Sequence, residues 1–104
     1  TKYYKHLNSM AKHPLGDFIS LHCKNKNITG KQLAEKIGIS APKLSQISNG
    51  TVPLSVNIAL SLELALEVRA YEFLSVQLKE KIRKARKQMM SKGVRFVPIL
   101  RVKG

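Results

Sequence analysis

One segment, GKQLAEKIGISAPKLSQISNG, constrains the fold of this chain most strongly, because it predicts two short helices joined by a tight turn. Thr29 can cap the first helix, over residues 30–37, and Gly38 can end it by taking a positive φ without a Cβ penalty. Ser40 can cap the second helix, over residues 41–48. Helices joined by so short a turn cross at roughly 90–120°, so their backbones must approach closely.

Ala34 is the small residue that such a crossing requires, because a larger side chain would push the two helices apart. Five aliphatic residues are spaced to form the core that the two helices share: Leu33, Ile37, Ile39, Leu44 and Ile47. The opposite face of the second helix carries residues that nothing within the chain is expected to contact: Ala41, Pro42, Ser45, Gln46 and Asn49. The pattern therefore predicts a compact corner with an exposed polar surface beside it.

Helical spacing continues on both sides of this segment and predicts an all-α domain of five helices. Pro14 can open a helix over residues 14–24, and Ser55 can cap another that is apolar on many sides and is therefore expected to be mostly buried. A fifth helix, from about Arg69, carries an apolar stripe: Tyr71, Leu74, Leu78, Ile82, Ala85 and Met89. Beyond it, the alternation in GVRFVPILRVKG predicts a short edge strand that tolerates Pro98.

The length and charge of the chain narrow its class. A chain of 104 residues suits one domain with a single core, which we place over residues 13–78, between an N-terminal arm over 1–12 and a basic C-terminal extension over 79–104. The 19 Lys and Arg residues against six Asp and Glu give a formal charge of +13. Such a charge favours a polyanionic partner, above all nucleic acid, although ribosomal proteins and membrane-surface binders share it.

Export and membrane insertion are not expected. No apolar run approaches the roughly 20 residues that cross a bilayer, and the amino end, TKYYKHLNSMAKH, lacks the apolar core of a signal peptide. The lone Cys23 excludes an internal disulfide and is expected to be a small core residue. We therefore expect a cytoplasmic protein.

Catalysis and metal binding are not expected either. The six acidic residues form no recognisable constellation with a base or a nucleophile, and Glu63 and Glu67, one helical turn apart, are typical of a solvated face. The three histidines have no carboxylate or cysteine at ligand spacing. The sequence therefore predicts a protein without a cofactor that is not an enzyme.

A small residue, a glycine four positions later, and aliphatic residues six and nine positions after that glycine form the pattern of a helix-turn-helix. The second helix of this motif enters the major groove of DNA. In this chain the four positions are Ala34, Gly38, Leu44 and Ile47. An ordinary αα-corner within a helical bundle obeys the same packing rules and is the alternative, but the basic charge favours the DNA-binding interpretation.

At these residues the chain resembles the lambda-repressor-like, Cro-like DNA-binding family, and a longer similarity indicates its HigA-type antitoxin branch. Four short stretches carry the similarity: HP at 13–14, ISNG at 47–50, NIALSL at 57–62, which resembles D-T-A-L-R-L, and FLSVQ at 73–77, which resembles W-L-N-L-Q. The chain departs from the branch at Phe73, which replaces the tryptophan, and at Glu67, which stands where a turn glycine is usual.

The resemblance implies how the chain would contact DNA. Five residues of the second motif helix would face base edges: Ala41, Pro42, Lys43, Ser45 and Gln46. Gln46 can bond bidentately to adenine, whereas Lys43 can reach guanine or phosphate, or simply remain solvated. Six residues around the motif would contact the phosphate backbone and position the protein: Gly30, Lys31, Gln32, Ser40, Asn49 and Thr51.

Two hypotheses concern the fifth helix. Repressors of this family usually bind palindromes as two-fold dimers, and the candidate dimer interface is part of the apolar stripe: Tyr71, Leu74, Leu78 and Ile82. Burial of that stripe within its own domain is the alternative. Four basic residues are candidates for nonspecific contacts with DNA phosphates, with a solvated helix face as the alternative: Arg83, Lys84, Arg86 and Lys87.

These inferences favour a sequence-specific repressor that binds a palindromic operator in double-stranded DNA as a homodimer. The resemblance to HigA-type proteins implies in addition an antitoxin that neutralises a HigB-type toxin RNase and autoregulates its operon. A stand-alone phage-type or chromosomal regulator without a toxin is the main alternative. A basic RNA-associated or ribosome-associated protein is the alternative from a different class.

Overall fold

The computed structural model of this protein describes residues 13–93, and within them the chain forms five α-helices. Their bounds are α1 Pro14–Asn25, α2 Gly30–Ile37, α3 Ala41–Ser48, α4 Val56–Leu66 and α5 Ala70–Ser91. The described residues contain no strand, so the predicted all-α class is confirmed. The predicted N-terminal arm and the predicted edge strand around Pro98 lie outside the described residues.

Three of the helices begin at the hydroxyl caps that the sequence indicates. The Thr29 hydroxyl accepts a hydrogen bond from the Gln32 backbone N–H at 3.1 Å, and Gln32 Oε1 accepts one from the Thr29 N–H at 2.8 Å. Ser40 and Ser55 accept hydrogen bonds from the backbone N–H groups three residues later. Because such caps each stabilise a helix by about 0.5–2 kcal/mol, they help to define helices as short as α2 and α3.

The helices α2 and α3 meet at the corner that the sequence predicts. Gly38 ends α2 in the left-handed conformation, with a φ of 80°. Ala34 is 1% exposed, and Leu33 and Ile47 are completely buried, which confirms the small residue and the shared core. The flanking Ile37 and Ile39 are half-buried and pack against the edge of that core.

Phe73 of α5 lies within the core and joins α5 to α1. Its ring centroid lies 5.3 Å from that of Phe18, and His22 continues the cluster at 4.7 Å from Phe18, both edge to face. Burial lowers the pKa of His22 below its ordinary value, although nearby Glu72 acts in the opposite direction, so the neutral imidazole is favoured. Cys23 is buried in the same core, as predicted, and its burial raises the pKa of the thiol.

The prediction that α4 is mostly buried is wrong. One side of the helix, formed by Ala59, Leu62 and Leu66, packs into the core, but three large apolar residues on the other side are exposed: Val56, Leu60 and Leu64. Among the helices of residues 13–93, α4 packs mainly against α2 and α5. When a helix is apolar on many sides, its sequence does not indicate which side the neighbouring helices will cover.

Two glutamates shape the turn between α4 and α5 instead of forming the solvated pair expected from their spacing. Glu63 Oε1 accepts a hydrogen bond from the Ala70 backbone N–H at 2.8 Å and so caps the start of α5. Glu67 ends α4 in the left-handed region, with a φ of 58°, and its carboxylate lies 3.0 Å from Lys26 Nζ. A residue with a Cβ thus occupies the conformation that the missing turn glycine would adopt.

Replacing Glu67 by glycine should raise the free energy of unfolding by about 0.5–1 kcal/mol, because relief of the left-handed strain exceeds the entropy that glycine costs. The lost ion pair with Lys26 should subtract little, since the Glu67 side chain is 75% exposed. Urea unfolding followed by circular dichroism measures the change. Glu67→Ala is the control, because it removes the charge and keeps the Cβ. An equal gain in both variants would contradict the strain argument.

Candidate nucleic-acid interface

The helix α3 presents one continuous side to solvent. At about 100° per residue, Ala41, Ser45, Pro42 and Gln46 lie within an arc of about 140°, and all four are exposed. Leu44 and Ile47 lie on the other side and are buried. Lys43 is also exposed, but it lies beside the edge of the buried face and not at the centre of the arc. The structure therefore brings together four of the five predicted base-reading residues on one face, with the fifth at its border.

Close packing against α1 holds α3 in place. A Cβ added at Gly16 would lie 2.7 Å from the Ser48 carbonyl oxygen and 3.2 Å from Ser48 Cβ, so only glycine lets the two helices approach this closely. Gly16 is therefore a positioning residue for α3, and the sequence analysis did not identify it. The only indication in the sequence is a glycine near the start of a helix, at a position where no reverse turn requires one.

The segment that follows α3 is fixed by a second clamp, from α5. Gln77 Oε1 accepts a hydrogen bond from the Leu54 backbone N–H at 2.7 Å, and Gln77 Nε2 donates one to the Leu54 carbonyl at 3.1 Å. Both hydrogen-bonding groups of one backbone residue are thereby satisfied by one amide side chain. This contact explains in physical terms the glutamine of the FLSVQ stretch, to which the sequence analysis gave no role.

Asn49 and Thr51 lie just beyond α3 and bond to each other. Asn49 Oδ1 accepts hydrogen bonds from the Thr51 backbone N–H at 3.0 Å and from the Thr51 hydroxyl at 2.6 Å. The expectation that nothing within the chain contacts Asn49 is therefore wrong, because a short polar side chain after a helix readily closes a local turn. Both residues are exposed, so this turn forms an edge beside the exposed side of α3.

The other predicted phosphate contacts lie at the starts of α2 and α3. Gly30 and Lys31 are exposed in the first turn of α2, and Gln32 is exposed but its Oε1 is committed to the Thr29 cap. Ser40 likewise uses its hydroxyl oxygen to cap α3. The side chains of Gln32 and Ser40 thus have structural functions beside any contact with DNA.

The helix α5 has a second apolar face that points away from the core. Tyr71, Leu78 and Ile82 are 73%, 56% and 45% exposed, and only Leu74 packs against the core. Within residues 13–93, three of the four residues are therefore not buried in their own domain, which was the alternative left open by the sequence. An exposed apolar stripe of this kind is typical of a surface that another protein covers.

A groove with a volume of about 190 Å³ lies between the end of α3 and the basic part of α5. Asn49 and Thr51 line one side of it, and Lys81 and Lys84 line the other. The start of α1 closes the end of the groove through His13. Of the four basic residues singled out in the sequence, only Lys84 lines the groove, and Lys81, which lines it as well, is not one of the four.

Glu80 also lines this groove and is held by basic neighbours on its own helix. Arg83 donates to both Glu80 carboxylate oxygens, at 3.0 and 2.8 Å, and Lys84 Nζ lies 3.8 Å from Oε2. The hydrogen bond from Arg83 is the main reason that the pKa of Glu80 lies below its ordinary value, with further contributions from the charges of Lys84 and His13. The carboxylate is therefore neutralised locally.

The described residues offer no arrangement typical of a metal site or of a membrane span. Residues 13–93 contain no group of three or more His, Cys, Asp or Glu side chains that could hold a metal ion. In the same part of the chain, each helix is too short or too polar to cross a bilayer. Two acidic side chains, Glu63 and Glu80, accept hydrogen bonds from the Ala70 backbone N–H and from Arg83, respectively.

Comparison with known families agrees with this geometry. A family model described as helix-turn-helix matches residues 22–73, which is half of the chain. The match begins within α1, includes the whole of α2, α3 and α4, and ends at Phe73 in α5. Comparison with curated proteins found no match.

Proposed function

We propose that this chain, which belongs to the lambda-repressor-like helix-turn-helix family, represses transcription by occupying a palindromic operator as a homodimer. Family membership makes it a DNA-binding regulator. The observation that carries the proposal is the exposed side of α3, where Ala41, Ser45, Pro42 and Gln46 lie together while Leu44 and Ile47 anchor the other side. A helix held in this way can enter the major groove with its polar side chains towards the base edges.

Within this proposal, exposed residues of α3 contact the bases, and residues before and after α3 contact the phosphates. Gln46 donates to N7 and accepts from N6–H of an adenine when its amide binds bidentately, and Ala41 and Pro42 contact thymine methyl groups. Gly30 and Lys31 at the start of α2 contact phosphate, since free backbone N–H groups at a helix start attract anions. Asn49 keeps its Nδ2 donor for phosphate, because only its Oδ1 is used by Thr51.

The exposed stripe of α5 is the proposed dimer interface. One module of this size reads only a few base pairs, and a two-fold dimer doubles the site and makes it palindromic. Tyr71, Leu78 and Ile82 recur on one side of α5, where they can pack against the same residues of a second copy. Binding of two copies would place two α3 helices in successive major grooves, about 34 Å apart.

A more specific proposal is that the chain is the antitoxin of a HigB-type toxin. It is supported by the resemblance of the stretches at 57–62 and 73–77 to the HigA-type branch. The exposed Val56, Leu60 and Leu64 of α4 add an apolar surface that the core does not use. A stand-alone regulator without a toxin is the second candidate, since the geometry of α3 serves both equally.

Selection of duplexes from a random pool tests the repressor proposal. The selected sequences should share a palindrome, and a footprint of the full chain on the selected duplex should show two half-sites about 34 Å apart. Sedimentation should give the mass of a dimer on that duplex. Selection without any consensus, or tighter binding to single-stranded RNA than to every duplex, would contradict the proposal and favour the RNA-associated class.

Co-expression tests the antitoxin proposal separately. A small RNase encoded next to this chain should arrest growth alone, and co-expression of this chain should relieve the arrest and yield a complex of the two proteins. An intact operator response without any such neighbouring gene would leave the stand-alone regulator as the function.

A further inference from the structure

We infer that the groove between α3 and α5 is a second DNA contact, in which Lys81 and Lys84 bind the phosphodiester backbone next to the half-site read by α3. The inference rests on the proposed function, because it assumes that α3 occupies a major groove. It narrows the sequence-independent contact expected of α5 to the two lysines that line this groove.

The position of the two lysines is the first argument. Lys81 and Lys84 line the same groove as Asn49 and Thr51, which directly follow α3. A helix that lies in the major groove has the sugar-phosphate backbone at its ends, so the groove lies where that backbone passes. The phosphate contacts of Asn49 and those of α5 would therefore belong to one continuous surface.

The charge of the groove is the second argument. Two lysines, Lys81 and Lys84, line the groove together with the single carboxylate of Glu80, which leaves a surplus of one positive charge among these three residues. Arg83, which does not line the groove, pairs with that carboxylate. Arg83 makes the two short bonds to Glu80, whereas Lys84 lies farther from it, at 3.8 Å, and its side chain is 62% exposed. A duplex carries one negative charge per about 1.7 Å of its axis and so complements a short row of lysines.

The direction of the two lysines on α5 is the third argument. At about 100° per residue, Lys84 continues the same side of α5 as Phe73 and Gln77, which face the domain, and Lys81 lies at its edge. The exposed apolar stripe of Tyr71, Leu78 and Ile82 borders this side, since its members lie about 60–100° from Lys81 and about 120–160° from Lys84 around the helix. A second copy of the chain and the DNA backbone can thus contact α5 at the same time.

Lys24 and Lys79 provide a matched control, because both are exposed lysines within helices and neither lines the groove. Lys24 lies in α1, and Lys79 lies about 140–160° around α5 from Lys81 and Lys84. The double variants Lys81→Gln/Lys84→Gln and Lys24→Gln/Lys79→Gln lose the same charge and keep residues of high helix propensity. A difference in salt dependence between the two variants would therefore reflect where the charge lies on the protein and not how much charge is lost.

The test measures affinity for a labelled duplex of mixed sequence, about 30 base pairs long, by fluorescence anisotropy between about 50 and 200 mM salt. The slope of log K against log salt should become shallower by about 1.8 in Lys81→Gln/Lys84→Gln, because two phosphate contacts are lost. It should stay within about 0.3 of the natural chain in Lys24→Gln/Lys79→Gln. Circular dichroism and urea unfolding of both variants check that α5 remains folded.

Equal slopes for the two variants, whether both shallower or both unchanged, would overturn the inference, since the charge would then act without regard to position. A shallower slope in the control alone would overturn it as well. The proposed function fails by a different result, namely that the natural chain binds no duplex, mixed or selected. The natural chain is therefore measured first.

Discussion

Replacing Phe73 by alanine should lower the free energy of unfolding by about 3–5 kcal/mol, the usual effect of removing a large aromatic ring from a packed core. Phe73 is completely buried, and its ring contacts Phe18 across the junction of α5 and α1. Loss of the ring would leave a cavity between the two helices that also fix α3, through Gly16 and Gln77. Urea unfolding monitored by circular dichroism measures the change.

Tyr71→Ala is the matched control, because it removes a ring of similar size from the same helix, two residues away. Tyr71 is 73% exposed, so at concentrations where the chain is monomeric the change should stay within about 0.5 kcal/mol. DNA binding should fall with the folded fraction of Phe73→Ala. Similar losses of stability in both variants would contradict the described orientation of α5.

The local structure of the motif could be predicted because each part of it depends on near neighbours in the chain. A hydroxyl cap at Thr29 or Ser40 and a left-handed glycine at Gly38 act within a few residues of their partners, and the small residue Ala34 meets the helix that follows directly in the chain. The bounds of α2 and α3 were predicted to the residue for this reason. The exposed face of α3 follows from the same helical spacing.

Features that depend on contacts between distant helices could not be predicted in this way. The need for glycine at residue 16 arises only when α1 meets Ser48, and the role of Gln77 arises only when α5 meets Leu54. The exposed side of α4 was missed because a uniformly apolar helix does not indicate where its neighbours lie. Lys81 was not among the four basic residues singled out, because a run of basic residues does not indicate which of them share a surface with α3.

Gln46→Ala should weaken binding to the operator by about 1–3 kcal/mol, or about 5- to 150-fold, at one base-pair position. The side chain of Gln46 is exposed on the α3 surface, so only base edges would complete its hydrogen bonds in the complex. Its backbone carbonyl accepts hydrogen bonds from Thr51 and Val52, and alanine preserves both. Stability should therefore change little, and the loss should be confined to specific binding.

The ratio of affinities for the selected operator and for a random duplex, measured for Gln46→Ala and for the natural chain at one salt concentration, tests the central claim that α3 reads bases. The ratio should fall by about 5- to 150-fold in Gln46→Ala. Gln88→Ala, an exposed glutamine changed on α5, should leave the ratio unchanged. An equal fall in both affinities, with an unchanged ratio in Gln46→Ala, would contradict the assignment of α3 as the base-reading helix.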